Sequence, residues 1–290
     1  MGKTAPDTNV DGGRKREFLF AEADFDALRA LVREHTGISL SAAKRELVYG
    51  RLARRLRALG LESFSEYRSM LTNDPQGQEI VEFCNAITTN LTSFFRESHH
   101  FDYLREHVLA PLAKGAPRQR LRIWSAGCST GEEPYSIAMT LRESLREVGR
   151  HDIRILATDL DSDVLSRARA GCYVQDRVKG LSAQRMGAFF REQDDGGAVR
   201  YAINAELREL ITFNQLNLMH PLPMKGPLDV IFCRNVVIYF DKETQRDLFR
   251  RFAQLQRPGA ILFLGHSESI FKVSDDYTLV GKTIYKRNAS

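Results

Sequence analysis

Between residues 121 and 136 two glycines and two adjacent carboxylates fall in one short stretch, Leu121-Arg-Ile-Trp-Ser-Ala-Gly127-Cys-Ser-Thr-Gly131-Glu132-Glu133-Pro134-Tyr135-Ser136. Glycine accepts positive φ and lets a ligand approach the backbone closely. Carboxylates in such a turn repel a pyrophosphate and attract a positive group such as an ammonium or a sulfonium. Gly127 and Gly131 are parted by Cys-Ser-Thr, so the turn lacks the G-x-G-x-x-G spacing of dinucleotide-binding sheets. A purely structural reading serves these residues as well. Acids and a proline suit the first turn of a helix, and Ser129-x-x-Glu132 has capping-box spacing. The turn by itself supports both readings.

Other polar residues fall at the ends of predicted strands. Asp159 closes a strand over 153–158, the place where this architecture binds ribose hydroxyls. Asn217 follows a strand over 210–213, and Arg234-Asn235 follows one over 228–233 that reads as fully buried. Asp161 reads better as a helix N-cap. His99 and His100 are adjacent, and neighbours on a helix point apart, so no shared metal ion is expected. The four cysteines form no C-x-x-C pair, so neither a zinc site nor a disulfide framework is indicated, and a reducing cytoplasm is expected.

The elements that must position these groups follow from hydrophobic period. Residues 121–126 read as a strand, and Ile137, Leu141, Leu145 and Val148 as the buried face of the helix after it. The βα alternation continues to a hairpin over 277–285, turning at Gly281-Lys282, which gives a seven-stranded, mostly parallel sheet. Residues 171–210 break the alternation and read as an inserted antiparallel β subdomain, with Leu181–Phe190 helical and Val199–Ile203 an edge strand. Residues 1–17 are polar and read as a disordered tail, 18–90 as a small all-helical domain, 91–120 as a linker and helix broken at Ala116-Pro117, and 121–290 as the sheet domain. A second helix over 41–59 has Leu47, Val48, Leu52, Leu56 and Leu59 as its stripe. It also carries Lys44, Arg51, Arg54 and Arg55 against one acid, either a solvated face or a docking surface for something acidic.

The chain has 290 residues, a net charge of +5 and 43% hydrophobic residues, an ordinary soluble composition of two-domain length. No apolar run approaches the ~18 residues of a membrane span, and no signal peptide opens the chain. The positive charge suits nucleic acid, an anionic membrane face or an acidic protein surface, and does not choose among them.

Five stretches resemble one family: Asn90-Leu-Thr-Ser-Phe-Phe-Arg96-Glu-Ser-His-His-Phe101, the 125–136 turn, Ala157-Thr-Asp-Leu-Asp161, Phe232-Cys-Arg-Asn-Val-Val-Ile-Tyr-Phe-Asp241 and Gly265-His-Ser-Glu268. In these the chain, from about Phe25 to its end, is similar to the CheR family, S-adenosylmethionine-dependent methyltransferases that esterify glutamates of bacterial chemoreceptors. The resemblance implies a Rossmann-like methyltransferase sheet with an N-terminal helical domain facing the receptor. It implies a cofactor site of Asn90, Thr92, Arg96, Gly127, Glu133, Asp159, Asn217, Leu218, Arg234 and Asn235. Glu133 would hold the methionine ammonium, Asp159 the ribose hydroxyls, and Asn217 and Leu218 would border the adenine. Arg234, Asn235 and Tyr239 would line the wall nearest the methyl group. Arg96 and Tyr239 are the candidates to orient the acceptor, with pairing to the cofactor's own carboxylate as the rival role for Arg96. Partners would be the cytoplasmic methylation helices; the inserted subdomain is where some relatives bind a receptor C-terminal pentapeptide, and the resemblance leaves open whether this chain uses one. No nucleic acid and no membrane insertion are expected.

Two rivals come from other classes. A nucleic-acid methyltransferase fits the charge, but enzymes acting on base amino groups carry prolines where Asn235-Val-Val-Ile-Tyr239 stands. Cys233, inside an apolar run, looks like core rather than a nucleophile. The second rival is a non-catalytic receptor-associated sensor that binds the cofactor.

Overall fold

The computed structural model of the protein describes residues 16–114 and 119–289. The expected tail up to residue 15 and the Ala116-Pro117 break lie outside the described residues. The chain parts into two compact units between Thr88 and Thr89.

Among its described residues the first unit contains four α-helices, α1 Glu22–Thr36, α2 Arg45–Leu59, α3 Phe64–Asn73 and α4 Gln78–Ile87. Gly37 and Gly60 end α1 and α2 in the left-handed region, which costs a glycine little. Phe20, Leu28, Leu52, Leu56, Phe64, Tyr67 and Phe83 form a common core. The buried stripe of α2 is Val48, Leu52, Ala53 and Leu56. Leu47, expected inside, is 38% exposed because it lies about 100° around the helix from Val48. The helix also begins later than expected, after a 3₁₀ turn over Ala42–Lys44.

The basic residues of α2 divide. Arg55 pairs with Glu79 and Glu82 of α4, and the Tyr67 hydroxyl donates to Glu79 at 2.7 Å. Arg51 donates to the carbonyls of Ile87 and Thr88, closing the end of α4. Lys44 and Arg54 are exposed. Arg51 and Arg55 of the positive run therefore hold helices together.

The second unit is the sheet domain. Its strands are β1 Arg120–Ala126, β2 Asp152–Asp159, β3 Cys172–Val174, β4 Phe190–Asp195, β5 Ala198–Ile203, β6 Ile211–Gln215, β7 Leu228–Cys233, β8 Gln256–Leu264, β9 Tyr277–Gly281 and β10 Ile284–Arg287. Seven form one sheet in the order β6-β2-β1-β7-β8-β10-β9. The pairs from β6 to β8 are parallel, and β10 is antiparallel to both its neighbours. Its helices are α5 His99–Tyr103, continued by a π-helical stretch Leu104–Leu109 and α6 Ala110–Ala113, then α7 Glu132–Ser144, α8 Ser162–Ala170, α9 Gln175–Val178, α10 Ala183–Phe189, α11 Ala205–Arg208 and α12 Lys242–Leu255. Every residue of β7 is buried, as a central parallel strand requires. Phe232 stacks on Phe263 at 4.3 Å and on Phe101 at 5.9 Å.

Two local expectations are corrected. Leu145 and Val148 are buried, but α7 stops at Ser144. Strand β5 is the centre of the small sheet β3-β5-β4 rather than an edge, because β3 is too short to show alternation in sequence. Strand β8 starts at Gln256 and runs through Pro258 and Gly259. Among the described residues no helix is long and apolar enough to cross a membrane.

Removing the Arg55 side chain leaves Glu79 and Glu82 without their shared cation. Arg55→Ala is expected to cost about 1–3 kcal/mol in denaturant unfolding, whereas the exposed Arg54→Ala stays within about 0.5 kcal/mol.

Candidate functional site

The candidate site residues gather at the carboxyl ends of β1, β2, β7 and β8, where open α/β sheets bind their ligands. After β1 the backbone curls over its neighbour: the amides of Gly127 and Cys128 both donate to the Thr158 carbonyl, at 2.8 and 2.9 Å. Gly127 has φ 86°, and a Cβ there would collide with Val236, so this position excludes side chains twice over. The same turn brings the Ser129 amide to Asp159 Oδ2 at 2.8 Å, while the Asp161 amide reaches Oδ1 at 3.0 Å. Asp159 is buried, and burial pushes its carboxyl up to about 6 against those backbone donors. Asp161 caps α8, accepting from the amides of Asp163 and Val164.

The two glutamates after the turn face different ways. Glu133, 8% exposed, accepts from Ser125 Oγ at 2.7 Å and from Arg234 Nη1 at 3.1 Å. Burial raises its pKa, and Arg234 opposes that rise. Glu132 is fully buried and accepts from Thr130 Oγ1 at 2.6 Å and from Arg177. The expected pair of carboxylates thus contributes one member to the rim. The capping-box spacing is not used either, because Gly131 is the N-cap and Ser129 Oγ donates to the Asn90 carbonyl instead.

Arg234, buried at the end of β7, joins this turn to residues 89–98. Its guanidinium donates to the Arg96 carbonyl, lies 3.4 Å from Glu97 Oε2 and sits over the Phe101 ring. Burial pushes Glu97 up, but bonds from His266 and the charge of Arg234 outweigh it and hold the carboxyl below its ordinary range. Phe95 and Glu97 adopt positive φ, at 53° and 55°. The Phe95 amide donates to Ser136 Oγ of α7 at 2.9 Å. Within this segment Arg96 Nη1 donates to the Leu91 carbonyl at 2.9 Å, Asn90 Nδ2 donates to Asp161 Oδ2 at 2.7 Å, and Thr92 is half-buried.

Past β7, Asn235 takes φ 59° and its amide donates to Glu268 Oε2 at 2.8 Å. Glu268, buried in the loop after β8, also accepts from the amides of Gly265 and Ile238, at 2.6 and 3.2 Å. Tyr239 is half-exposed in the 3₁₀ turn Val237–Tyr239. Beyond β6 the Leu216 amide bonds the Asp159 carbonyl at 2.9 Å, which brings Asn217 and the buried Leu218 beside Asp159. Asn217 Oδ1 accepts from the Met219 amide at 2.9 Å.

His99 and His100 do not point apart as expected. Their rings lie 4.1 Å from each other and both reach the Lys282 carbonyl, at 3.1 and 3.3 Å, because they open α5 against the β9–β10 turn. Burial lowers the His100 pKa to about 3, leaving it neutral. Among the described residues no cluster of His, Cys, Asp and Glu suits a metal ion. Ser125, Glu97 and Glu268 escaped sequence reasoning. Glu268 lay in a family-like motif with no role attached, and Ser125 and Glu97 meet their partners only through the topology. A cavity of about 470 Å³ lies at the amino ends of β1, β7 and β8, lined by Arg120, Asp229 and Arg257 among others, away from these loops.

One buried carboxylate at each of two adjacent strand ends, parted by a glycine turn, suits a ligand with a cationic amine at one end and a sugar diol farther along. Residues 90–286 match the CheR methyltransferase SAM-binding domain, and residues 23–88 match the CheR methyltransferase all-alpha domain. A chemotaxis protein methyltransferase of Klebsiella aerogenes is 43% identical over 266 residues, covering 91% of this chain and 89% of its own. The counterpart from Salmonella typhimurium is 43% identical over 275 residues, covering 93% and 92%. Chemotaxis protein methyltransferase 2 of Pseudomonas aeruginosa is 45% identical over 273 residues, covering 93% and 95%.

Glu268→Ala removes the shared acceptor of three amides on two loops. An exchange rate at the Asn235, Ile238 and Gly265 amides at least about tenfold faster is expected, from about 1–3 kcal/mol per unsatisfied donor, read by hydrogen–deuterium exchange.

Proposed function

The chain belongs to the CheR methyltransferase family, and from that premise we propose that it methylates glutamate side chains of chemoreceptors in the cytoplasm. It is an S-adenosylmethionine-dependent methyltransferase of chemotaxis; the glutamate acceptor, its place on the receptor and the roles of single residues are our reading. The observation that carries the reading is the placement of two buried carboxylates, Glu133 and Asp159, at the ends of adjacent parallel strands. Glu133 takes the amino end of the cofactor, Asp159 its ribose hydroxyls, and Asn217 and Leu218 flank the base. Asn90, Thr92 and the Gly127 turn complete that pocket.

When bound, S-adenosylmethionine supplies an electrophilic methyl group on a sulfonium. The residues of the chain then have three tasks: to hold the donor, to orient the acceptor and to exclude water. A glutamate has a reference pKa near ~4.3 and is already an anion at neutral pH, so no general base is required. Positioning is the main contribution left to the protein, and effective molarity can supply about 7–11 kcal/mol of it. Arg96 orients the acceptor carboxylate through a charge-assisted hydrogen bond, with Tyr239 and Asn235 on the opposite wall. The Arg96 backbone is already gripped by Arg234 through its carbonyl. The exposed Lys44 and Arg54 face the acidic receptor helices, and the small sheet takes the receptor's C-terminal peptide by strand addition.

Three outcomes are expected. Methyl-labelled cofactor and receptor-containing membranes give a product that releases labelled methanol in mild alkali; a label that stays bound identifies an N-methylated base and defeats the glutamate reading. Arg96→Ala lowers turnover of bound cofactor by about 100-fold or more and moves its Kd little. The reverse pattern assigns Arg96 to the cofactor's own carboxylate. Cofactor affinity is flat above about pH 6 and falls below it, because protonation of Asp159 removes an acceptor for the ribose hydroxyls; titration calorimetry between pH 5 and pH 8 reads this, and a flat profile removes that role from Asp159.

A further inference from the structure

The cofactor turn is gripped from a direction that the sheet does not supply. Glu132, the first residue of α7 and the neighbour of Glu133, is a fully buried carboxylate. Its cation comes from α9, in the inserted segment: Arg177 pairs with Glu132 and also donates to Thr130 Oγ1 at 3.0 Å. From β3 in the same segment, the Tyr173 hydroxyl donates to the Thr130 carbonyl at 2.8 Å. Between these contacts Gly131 has φ 96°, and a Cβ there would lie 3.0 Å from the Tyr173 hydroxyl and from Ala168 Cβ. Thr130, Gly131 and Glu132 are thus held by two side chains of the insertion.

A carboxylate at this depth stays ionised only while it is paired. Without Arg177 the Glu132 carboxylate loses its charged partner, and the first turn of α7 loses the side chain that ties it to the insertion. Glu133 is the next residue, and its carboxylate is held at the rim by Ser125 and Arg234 in one orientation. We infer that Arg177 is a positioning residue for the cofactor, acting through Glu132 to aim Glu133, so that the inserted small sheet is part of the cofactor site. This rests on the reading of Glu133 as the ligand of the cofactor's amino end. By linkage, whatever tightens the cofactor turn also tightens the insertion.

The test is titration calorimetry of the full chain with S-adenosylhomocysteine. Arg177→Gln is expected to raise Kd by about tenfold, with stoichiometry unchanged, and Arg177→Lys, which keeps the charge and loses the fork, to recover part of that loss. A contact that only supports folding behaves differently: it lowers the competent fraction, read as stoichiometry, and leaves Kd where it was. Arg200→Gln, which breaks an exposed pair with Asp195 inside the same small sheet, is expected to stay within about twofold of wild type. A wild-type Kd for Arg177→Gln overturns the inference. Should that variant fail to fold, Arg177→Lys decides, with an unchanged Kd again overturning it. Glu133→Gln separates the two readings. If it weakens binding while the Arg177 variants do not, only this inference falls; if it binds as wild type, the reading of Glu133 falls first.

Discussion

A guanidinium buried at the end of a central strand is the constraint on which the site depends. A guanidinium in that position needs acceptors around it to offset its desolvation, and Arg234 finds them on two separate stretches of chain. Glu133 comes from the turn after β1, and the Arg96 carbonyl and Glu97 come from residues 89–98. The meeting follows from register. Strands β1 and β7 are parallel neighbours with Ser125 opposite Phe232, so Ser125 and Arg234 approach Glu133 from adjacent strand ends. Segment 89–98 is then pinned on its other side by Ser136 of α7, and its left-handed residues Phe95 and Glu97 are the local cost of threading between these anchors.

The other acids at the rim also organise the backbone around them. Asp159 spends both oxygens on backbone amides of its own and the neighbouring turn, and Glu268 spends its oxygens on amides of the loops after β7 and β8. Each is a buried carboxylate that organises backbone around it. A scaffold of this kind holds its polar groups in place before a ligand arrives, which matters when catalysis consists chiefly of holding two reactants in line. It also explains why the acids that look alike in sequence, Glu132 and Glu133, serve opposite sides of one turn.

Much of this was legible in the residues. The strand–turn–helix at 121–136, the strand-end position of Asp159 and the fully buried β7 are local patterns, and local patterns survive into the fold. Partnerships were not legible. Helical spacing puts Arg51 and Arg55 on one face and the exposed Arg54 on another, but that the first two hold α4 depends on Glu79, Glu82 and the end of another helix. The convergence of His99 and His100 depends on a turn some 180 residues away. The central place of β5 depends on a three-residue strand that no periodicity marks. Asn90, Thr92 and Arg96 entered through family resemblance, since a short polar run between two domains carries no physical signal of its own.

The central claim is that a sulfonium cofactor lies across the ends of β1 and β2, amine first. A crystal structure of the chain with S-adenosylhomocysteine measures this directly. The account predicts the amine within about 3.2 Å of a Glu133 oxygen and the ribose hydroxyls on Asp159, at ordinary hydrogen-bond lengths. A ligand bound elsewhere, or the same rim filled by a phosphate-rich nucleotide, would contradict it.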